Sequence, residues 1–274
     1  MTPPFAAWPA ARPLAVSLGV MLEGWAEGSA PGIGPMGNPL KPGVRDLQAL
    51  SWAEYGPKVG AGRLLDLLDR AGRKAVFYTS GVIAERYPAL PAAIAGRGHA
   101  VAAHAWCQGT LPPYLSPEAE WADIERCRTV LTETAGMRPL GWLSPRCTPS
   151  AHTSRFLARA GFRWHADMFD SDVPYRLETG EGTLVGMPFT MEVNDMPLYV
   201  RYGNEPAAFP RTFARILEGW ERIGSPYACI DLTVHAHVFG RPYGAIAFLE
   251  ALELAARDPR CWITHHAELA ARMA

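Results

Sequence analysis

The chain has 274 residues, 49% of them apolar and 19% charged, with a formal net charge of −1. That supplies the core of a large α/β domain and sets the chain apart from disordered sequences. With no run of Lys or Arg, it lacks the basic footprint expected of a nucleic-acid or anionic-membrane binder.

Leu14–Leu22 is an uncharged, mostly apolar run of nine residues behind Arg12. It has the size of a signal-peptide core, but the segment before it is Pro-rich and nearly uncharged. It reads as a buried first strand ending at Glu23. A Gly- and Pro-rich excursion from Gly24 to Gly56 is too long for a simple connection and is expected to cover part of a functional cleft. Val59–Ala71 carries Leu64, Leu65, Leu67 and Leu68 at helical spacing and stops at Gly72. Lys74–Thr79 reads as a strand, Val82–Ala95 as a helix ending at Gly96, and Ala100–Ala103 as a strand running into His104. Ser116-Pro117 opens a helix by N-cap and first-turn chemistry, continuing to about Ala135. Strand Leu140–Leu143 leads into Ser144-Pro145-Arg146. Helix Thr153–Ala160 and strands Phe162–Ala166 and Thr183–Met187 follow. Helix Ala207–Arg222 precedes a strand that begins at Tyr227 and carries His235 and His237 into a Gly-Arg-Pro turn. A helix from about Gly244 to Arg257, the strand Cys261–Thr264 and a terminal helix end the chain.

Repeated strand–helix units with right-handed crossovers predict a parallel sheet, open or closed into a barrel. No linker-like shift in composition divides the chain, so a single domain over residues 1–274 is expected. No stretch is long enough to span a bilayer. The five cysteines are scattered, without a C-x-x-C pair, and read as reduced thiols of a cytoplasmic protein.

In such a fold the C-terminal ends of the strands share one face. The polar residues following the expected strands are Glu23, His104, Arg146, Asp167 with Asp170 and Asp172, and His235 with His237. Positions i and i+2 of a strand face the same side, so His235 and His237 are expected together. Each residue alone has a bland reading: a capping carboxylate, a satisfied core histidine, a surface arginine, an Asp-rich turn. Together they make a hydrolytic set, with a base to activate water, an acid to protonate the leaving atom and a cation to hold an anion. His235 is expected to be the general acid or base, with His237 accessory. Glu23 and His104 join it, and Arg146 and Asp172 would orient catalytic groups or substrate. Trp106, two residues beyond His104, is placed to line a pocket. The chain has no nucleophile elbow, dinucleotide fingerprint, P-loop or H-E-x-x-H.

The segment Gly98-His99-Ala100-Val101-Ala102-Ala103-His104-Ala105-Trp106, with Leu22-Glu23-Gly24, Ser144-Pro145-Arg146 and His235, resembles the polysaccharide deacetylase (NodB-homology) superfamily. The chain is most similar to its allantoinase-like branch, through Glu54-Tyr55-Gly56, Asp167 to Tyr175, Asn194-Asp195-Met196, Gly240-Arg241-Pro242 and Trp262-Ile263-Thr264. The resemblance implies a distorted, incomplete (β/α) barrel and a homo-oligomer. It also implies Trp106, Asp167, Asp170, Asn194, Asp195, His237 and Arg241 as substrate-binding residues. Several positions depart from the superfamily's pattern. Leu22 and Glu23 replace an Asp-Asp pair, Gln108 stands where a second metal-binding histidine belongs, and His165 replaces an Asp. Ala236-His237 stands where the allantoinases have Cys-Arg. The metal positions therefore hold Glu23, His104 and the weak donor Gln108, so no cofactor is expected to be required, a degenerate zinc-type site being the alternative. The expected activity is hydrolysis of a non-peptide C–N bond in a small amide, cyclic imide or ureide. The alternatives are a metal-dependent deacetylase of N-acetylated carbohydrate and a non-catalytic binding protein on the same fold.

Overall fold

A computed structural model describes residues 3–29, 40–41 and 43–273. Strand β1 (Leu14–Leu22) is buried along its whole length, as its unbroken apolar run requires of a central parallel strand. One edge pairs with β8 (Ala228–His235) from Leu14 to Met21. Its other edge is shared end to end by β9 (Cys261–Thr264), beside Leu14–Ser17, and β2 (Val76–Thr79), beside Gly19–Leu22. From β2 the sheet continues through β3 (Ala100–Ala103), β4 (Gly141–Trp142), β5 (Trp164–Met168) and β7 (Thr183–Pro188), all parallel. The sheet ends at β6 (Tyr175–Glu178), which is antiparallel to β7. The result is a distorted, incomplete (β/α) barrel.

The incompleteness has a specific form. The free edge of β8 has no strand beside it, yet its backbone groups are met by irregular chain. Cys229 N donates to Asp172 O at 2.7 Å, Asp231 N to Thr190 Oγ1 at 2.6 Å, and Thr233 N to Val193 O at 3.0 Å. Buried N–H groups need such partners; Asp172 supplies the first, and the segment 189–195 supplies the other two while passing along the barrel wall.

The helices are α1 (Leu47–Tyr55), α2 (Ala61–Arg70), α3 (Gly81–Arg86), α4 (Ala89–Gly96), α5 (Pro117–Ala135), α6 (Thr153–Arg159), α7 (Ala208–Ile223), α8 (Pro242–Arg257) and α9 (His266–Met273). Three expectations need correcting. The first helical run starts at Leu47, not Val59, with Asp46 capping α1 by accepting from Ala49 N at 2.9 Å; a π-helical stretch, Gly56–Gly60, joins α1 to α2. The helix expected over Val82–Ala95 is two helices, because Pro88 biases Tyr87 out of helical geometry (φ −129°, ψ 61°). β6 was not foreseen: it pairs on one side only and alternates between half-buried and exposed residues. Residues 30–39 and 42 of the Gly24–Gly56 excursion lie outside the described residues. No helix among the described residues is long and apolar enough to cross a membrane.

One backbone approach fixes the loop after β8. A Cβ on Gly60 or on Gly240 would collide with the carbonyl oxygen of Ala236, whereas a Cβ on Gly62 meets nothing within 4 Å. Gly60→Ala should therefore lower the unfolding free energy by about 1–3 kcal/mol. Gly62→Ala, in an open helical position, should raise it by about 0.5–1 kcal/mol. Denaturant unfolding of the two variants checks this, and equal effects would show that the close approach is not a constraint.

Candidate active site

Three strand ends deliver the central side chains. Glu23 follows β1, His104 follows β3 and His235 ends β8. His237 does not lie on the strand as expected. β8 stops at His235, and His237 sits in the turn of residues 236–240. Its imidazole nevertheless meets the other two around one carboxylate. His104 Nε2 and His235 Nε2 lie 3.6 and 3.7 Å from Glu23 Oε1, and His237 Nε2 lies 3.9 Å from Glu23 Oε2.

Each imidazole is oriented from behind. His104 Nδ1 donates to Leu143 O at 2.7 Å, which in the neutral ring leaves Nε2 as an acceptor turned towards Glu23. His235 Nδ1 donates to Asp195 Oδ1 at 2.6 Å, while Asp195 Oδ2 accepts from the backbone N–H groups of His235 (2.7 Å) and Phe239 (3.2 Å). Asp195 is buried on the segment that closes β8, so its carboxylate stands behind His235 and away from the cavity. His237 is wedged against Trp52 and Trp25, with ring centroids 4.7 and 5.6 Å away. Ser80 ties the strand ends together. Its Oγ accepts from Gly24 N at 3.2 Å and from Gln108 Nε2 at 3.1 Å, and Gln108 Nε2 also donates to His104 O at 2.9 Å. Backbone in the left-handed region follows the catalytic strands, at Ala105 (φ 55°), Arg146 (φ 53°) and Cys147 (φ 51°). Such conformations in residues with a side chain concentrate at functional sites.

The charges sort themselves by burial and neighbours. Burial works to raise the Glu23 carboxyl, but His235, His104 and His237 outweigh it and bring it down to about 2. Burial disfavours a proton on His235, yet Asp195 and Glu23 raise it above the ordinary imidazole value. Burial lowers His237 to about 4, and the charges of His235 and Arg241 add to that against the pull of Glu23. Near neutral pH the site holds an ionised Glu23 and a neutral His237, while His235 holds its proton to higher pH than an ordinary imidazole. Burial pushes the Cys147 thiol up, so no thiolate nucleophile arises there.

These groups line the inner end of a cavity of about 290 Å³. Of the sequence-derived candidates, Glu23, His104, Gln108, Arg146, Asn194, His235 and His237 border it. The others lie elsewhere, for identifiable reasons. Asp172 is exposed, and its carbonyl pairs with Cys229, six residues before His235 and thus roughly 20 Å down the strand. Asp170 accepts from Tyr175 Oη at 2.9 Å on the surface. Asp167 is spent inside the wall, where Ser144 N (2.9 Å) and Ser144 Oγ (2.8 Å) donate to it and hold the turn that carries Arg146. The Trp106 ring lies 3.3 Å beneath the Arg126 guanidinium, outside the cavity. Arg241 stacks on Tyr55 at 4.1 Å. The sequence reading missed Trp25, Trp52 and Arg201, which all line the cavity. Arg201 ends a π-helical stretch, Met196–Arg201, whose sequence carries no regular period to announce it.

The metal-type set fits poorly. Gln108 has its amide nitrogen committed to Ser80 and His104 O, and it offers only a neutral amide oxygen, buried and unpartnered. Among the described residues, the one trio of His, Cys or carboxylate donors lying mutually within 4.8 Å is Cys229, Asp231 and His266, deeper in the barrel. That trio is internally engaged. His266 Nδ1 meets Tyr78 Oη at 2.5 Å and its Nε2 lies 2.8 Å from Asp231 Oδ1, while burial keeps the Cys229 thiol protonated.

Residues 51–165 match the polysaccharide deacetylase family. A peptidoglycan deacetylase-like protein of Gibberella zeae, FGM2, is 28% identical over 160 residues, or 57% of this chain; the chain spans 45% of that protein's length. Among solved structures, a candidate polysaccharide deacetylase from Mycobacterium smegmatis is 28% identical with a TM-score of 0.81, covering 97% of this chain and 92% of that one. PuuE allantoinase, at 23% identity, shares the fold with a TM-score of 0.87 over 99% of this chain and 93% of its own. A CE4-family pseudoenzyme from Bacillus anthracis, 10% identical, shares it at 0.59 over 96% of this chain and 66% of its own.

The opposed shifts of the two neighbouring histidines can be read directly. In a histidine NMR titration, His237 should stay neutral until about pH 4, while His235 should keep its proton above the ordinary imidazole range. Coincident midpoints near 6.5 would contradict the charge assignment.

Proposed function

We propose, from the polysaccharide deacetylase match over residues 51–165 and the fold shared with that superfamily, that the chain hydrolyses a non-peptide C–N bond in a small amide, cyclic imide or ureide. One observation supports this above the others: an ionised carboxylate and a carboxylate-backed imidazolium stand 3.7 Å apart at the inner end of one cavity. Two titratable groups whose surroundings drive their pKa values apart make an acid–base pair.

In this reading a water enters between Glu23 and His104 Nε2 and donates to both. Glu23 takes its proton as the oxygen attacks the substrate carbonyl carbon. The C–O bond forms, and the carbonyl electron pair moves onto oxygen. As the tetrahedral adduct collapses, the C–N bond breaks and His235 Nε2 gives its proton to the leaving nitrogen, while Asp195 keeps the ring oriented. The products are a carboxylic acid and an amine-type nitrogen, both retained in one molecule when the substrate is a ring. Trp25, Trp52, Phe189, Met191 and Met196 line the cavity, and its volume of about 290 Å³ suits a small molecule. A scaffold that only bound ligand would have no need of a buried, ionised Glu23.

Once ring-opening or deacylation assays on amides, hydantoins and ureides yield a substrate, His235→Ala should lower kcat by about 10²–10⁴-fold without altering the circular dichroism spectrum. The acid form of His235 is the active one. The rate should therefore fall as pH rises through its raised pKa, later than it would for an ordinary imidazole. Asp195→Asn removes the charge that raises this pKa, so the alkaline fall should move to lower pH. A near-normal rate in His235→Ala would make that histidine structural.

The same reading requires no metal, because the donor set at Glu23, His104 and Gln108 is incomplete and the positive charge comes from His235 and the cavity's arginines. Exhaustive chelation should leave the rate unchanged. Near-stoichiometric zinc, with activity lost on chelation and restored by the metal, would overturn this and favour the deacetylase alternative.

A further inference from the structure

The cavity carries more information about its substrate than the acid–base pair does. Two guanidiniums border it, Arg146 and Arg201. Neither forms an ion pair, and neither side chain hydrogen-bonds, with any described residue. Arg97, Arg128 and Arg260 are engaged by Asp66, Glu125 and Asp258, while exposed arginines such as Arg70, Arg215 and Arg222 form no ion pair with a described residue; Arg146 and Arg201 differ from these in bordering the cavity. Glu23 is the one carboxylate that borders the same cavity, and its other walls include Met21, Trp25, Trp52, Leu143, Phe189 and Met191.

We propose that the substrate is an anionic molecule with an apolar body, a carboxylate-bearing amide or cyclic ureide whose carboxylate is held at the rim by Arg201. The assignment rests on the hydrolase reading above. A small, wholly polar ureide would leave its own donors and acceptors unpaired against Met, Phe and Trp side chains, and unpaired polar groups are expensive to bury. An aryl or alkyl group fills that wall instead. A guanidinium meets a carboxylate with two parallel N–H donors, which a lysine cannot reproduce.

The test uses a matched pair of probes: an aryl-substituted hydantoin bearing a carboxylate, and the same molecule with the carboxylate converted to its neutral methylamide. Calorimetric dissociation constants are measured for the unsubstituted protein, Arg201→Met and Arg201→Lys. The unsubstituted protein should bind the carboxylate form about 10-fold more tightly. The ratio should fall close to one in Arg201→Met, take an intermediate value in Arg201→Lys, and shrink with added salt. No preference in the unsubstituted protein, binding of neither probe, or a preference that survives in Arg201→Met would overturn the proposal. Ring opening of the same pair separates it from the hydrolase reading. An Arg201-dependent preference in binding, with neither ring opened, would overturn the hydrolase reading and leave the anion subsite standing. Equal kcat/KM on both probes would do the reverse.

Discussion

The carboxylate of Glu23 is the constraint around which the site is arranged. Its side chain is only 10% exposed, at the end of a strand that is buried along its whole length. A buried charge persists only where opposite charge or hydrogen-bond donors outweigh the loss of water. Here three imidazoles surround it, and they cannot all be protonated, because each added positive charge raises the cost of the next. The proton goes to His235, the ring backed by Asp195. His237, edge-on to Trp52, is left neutral. The division of roles between two histidines only two residues apart thus follows from what stands behind each ring.

Asp195 reaches that position because the barrel is not closed by a strand. The free edge of β8 requires hydrogen-bond partners, and residues 190–193 provide them as irregular chain. The same path continues into Asn194 and Asp195, bringing a carboxylate behind the imidazole that ends the strand. A tenth ladder strand would have held its alternating side chains in register with β8. The irregular segment instead turns both oxygens of Asp195 onto the His235–Phe239 backbone and ring. Closing the barrel wall and orienting the acid are therefore one structural event.

What the sequence disclosed follows from this geometry. Glu23, His104 and His235 were legible because each ends an apolar run, and ends of parallel strands converge. The β1, β3 and β9 boundaries were legible for the same reason, as was α5 through Ser116-Pro117. Asp172 follows an apparent strand end too, but the chain turns down the barrel wall before reaching it, and a turn sequence does not reveal its direction. Asp195 was visible as a polar residue of interest, yet its place behind His235 depends on a tertiary crossing. Trp25, Trp52 and Arg201 come from the excursion after β1, from a helix disguised by its Gly- and Pro-rich surroundings, and from a π-helical turn. None of these has a repeating pattern from which a side-chain direction can be read.

The substitution at Gln108 then has a positive explanation. Beside a metal-bound water, a second imidazole at that position would serve as a ligand. Here the side chain joins Ser80 and His104 O, so it stabilises the junction between the strand ends that carry Glu23 and His104. A metal's usual contribution to such hydrolysis is positive charge beside the polarised carbonyl and a more acidic water. In the reading proposed above, positive charge would come from the guanidiniums of Arg146 and Arg201 that border the cavity, and Glu23 would take the water's proton. On that metal-free reading, the arginines that border the cavity and the amide at position 108 would belong to one arrangement, in which organic cations supply the positive charge that a metal contributes in other hydrolases.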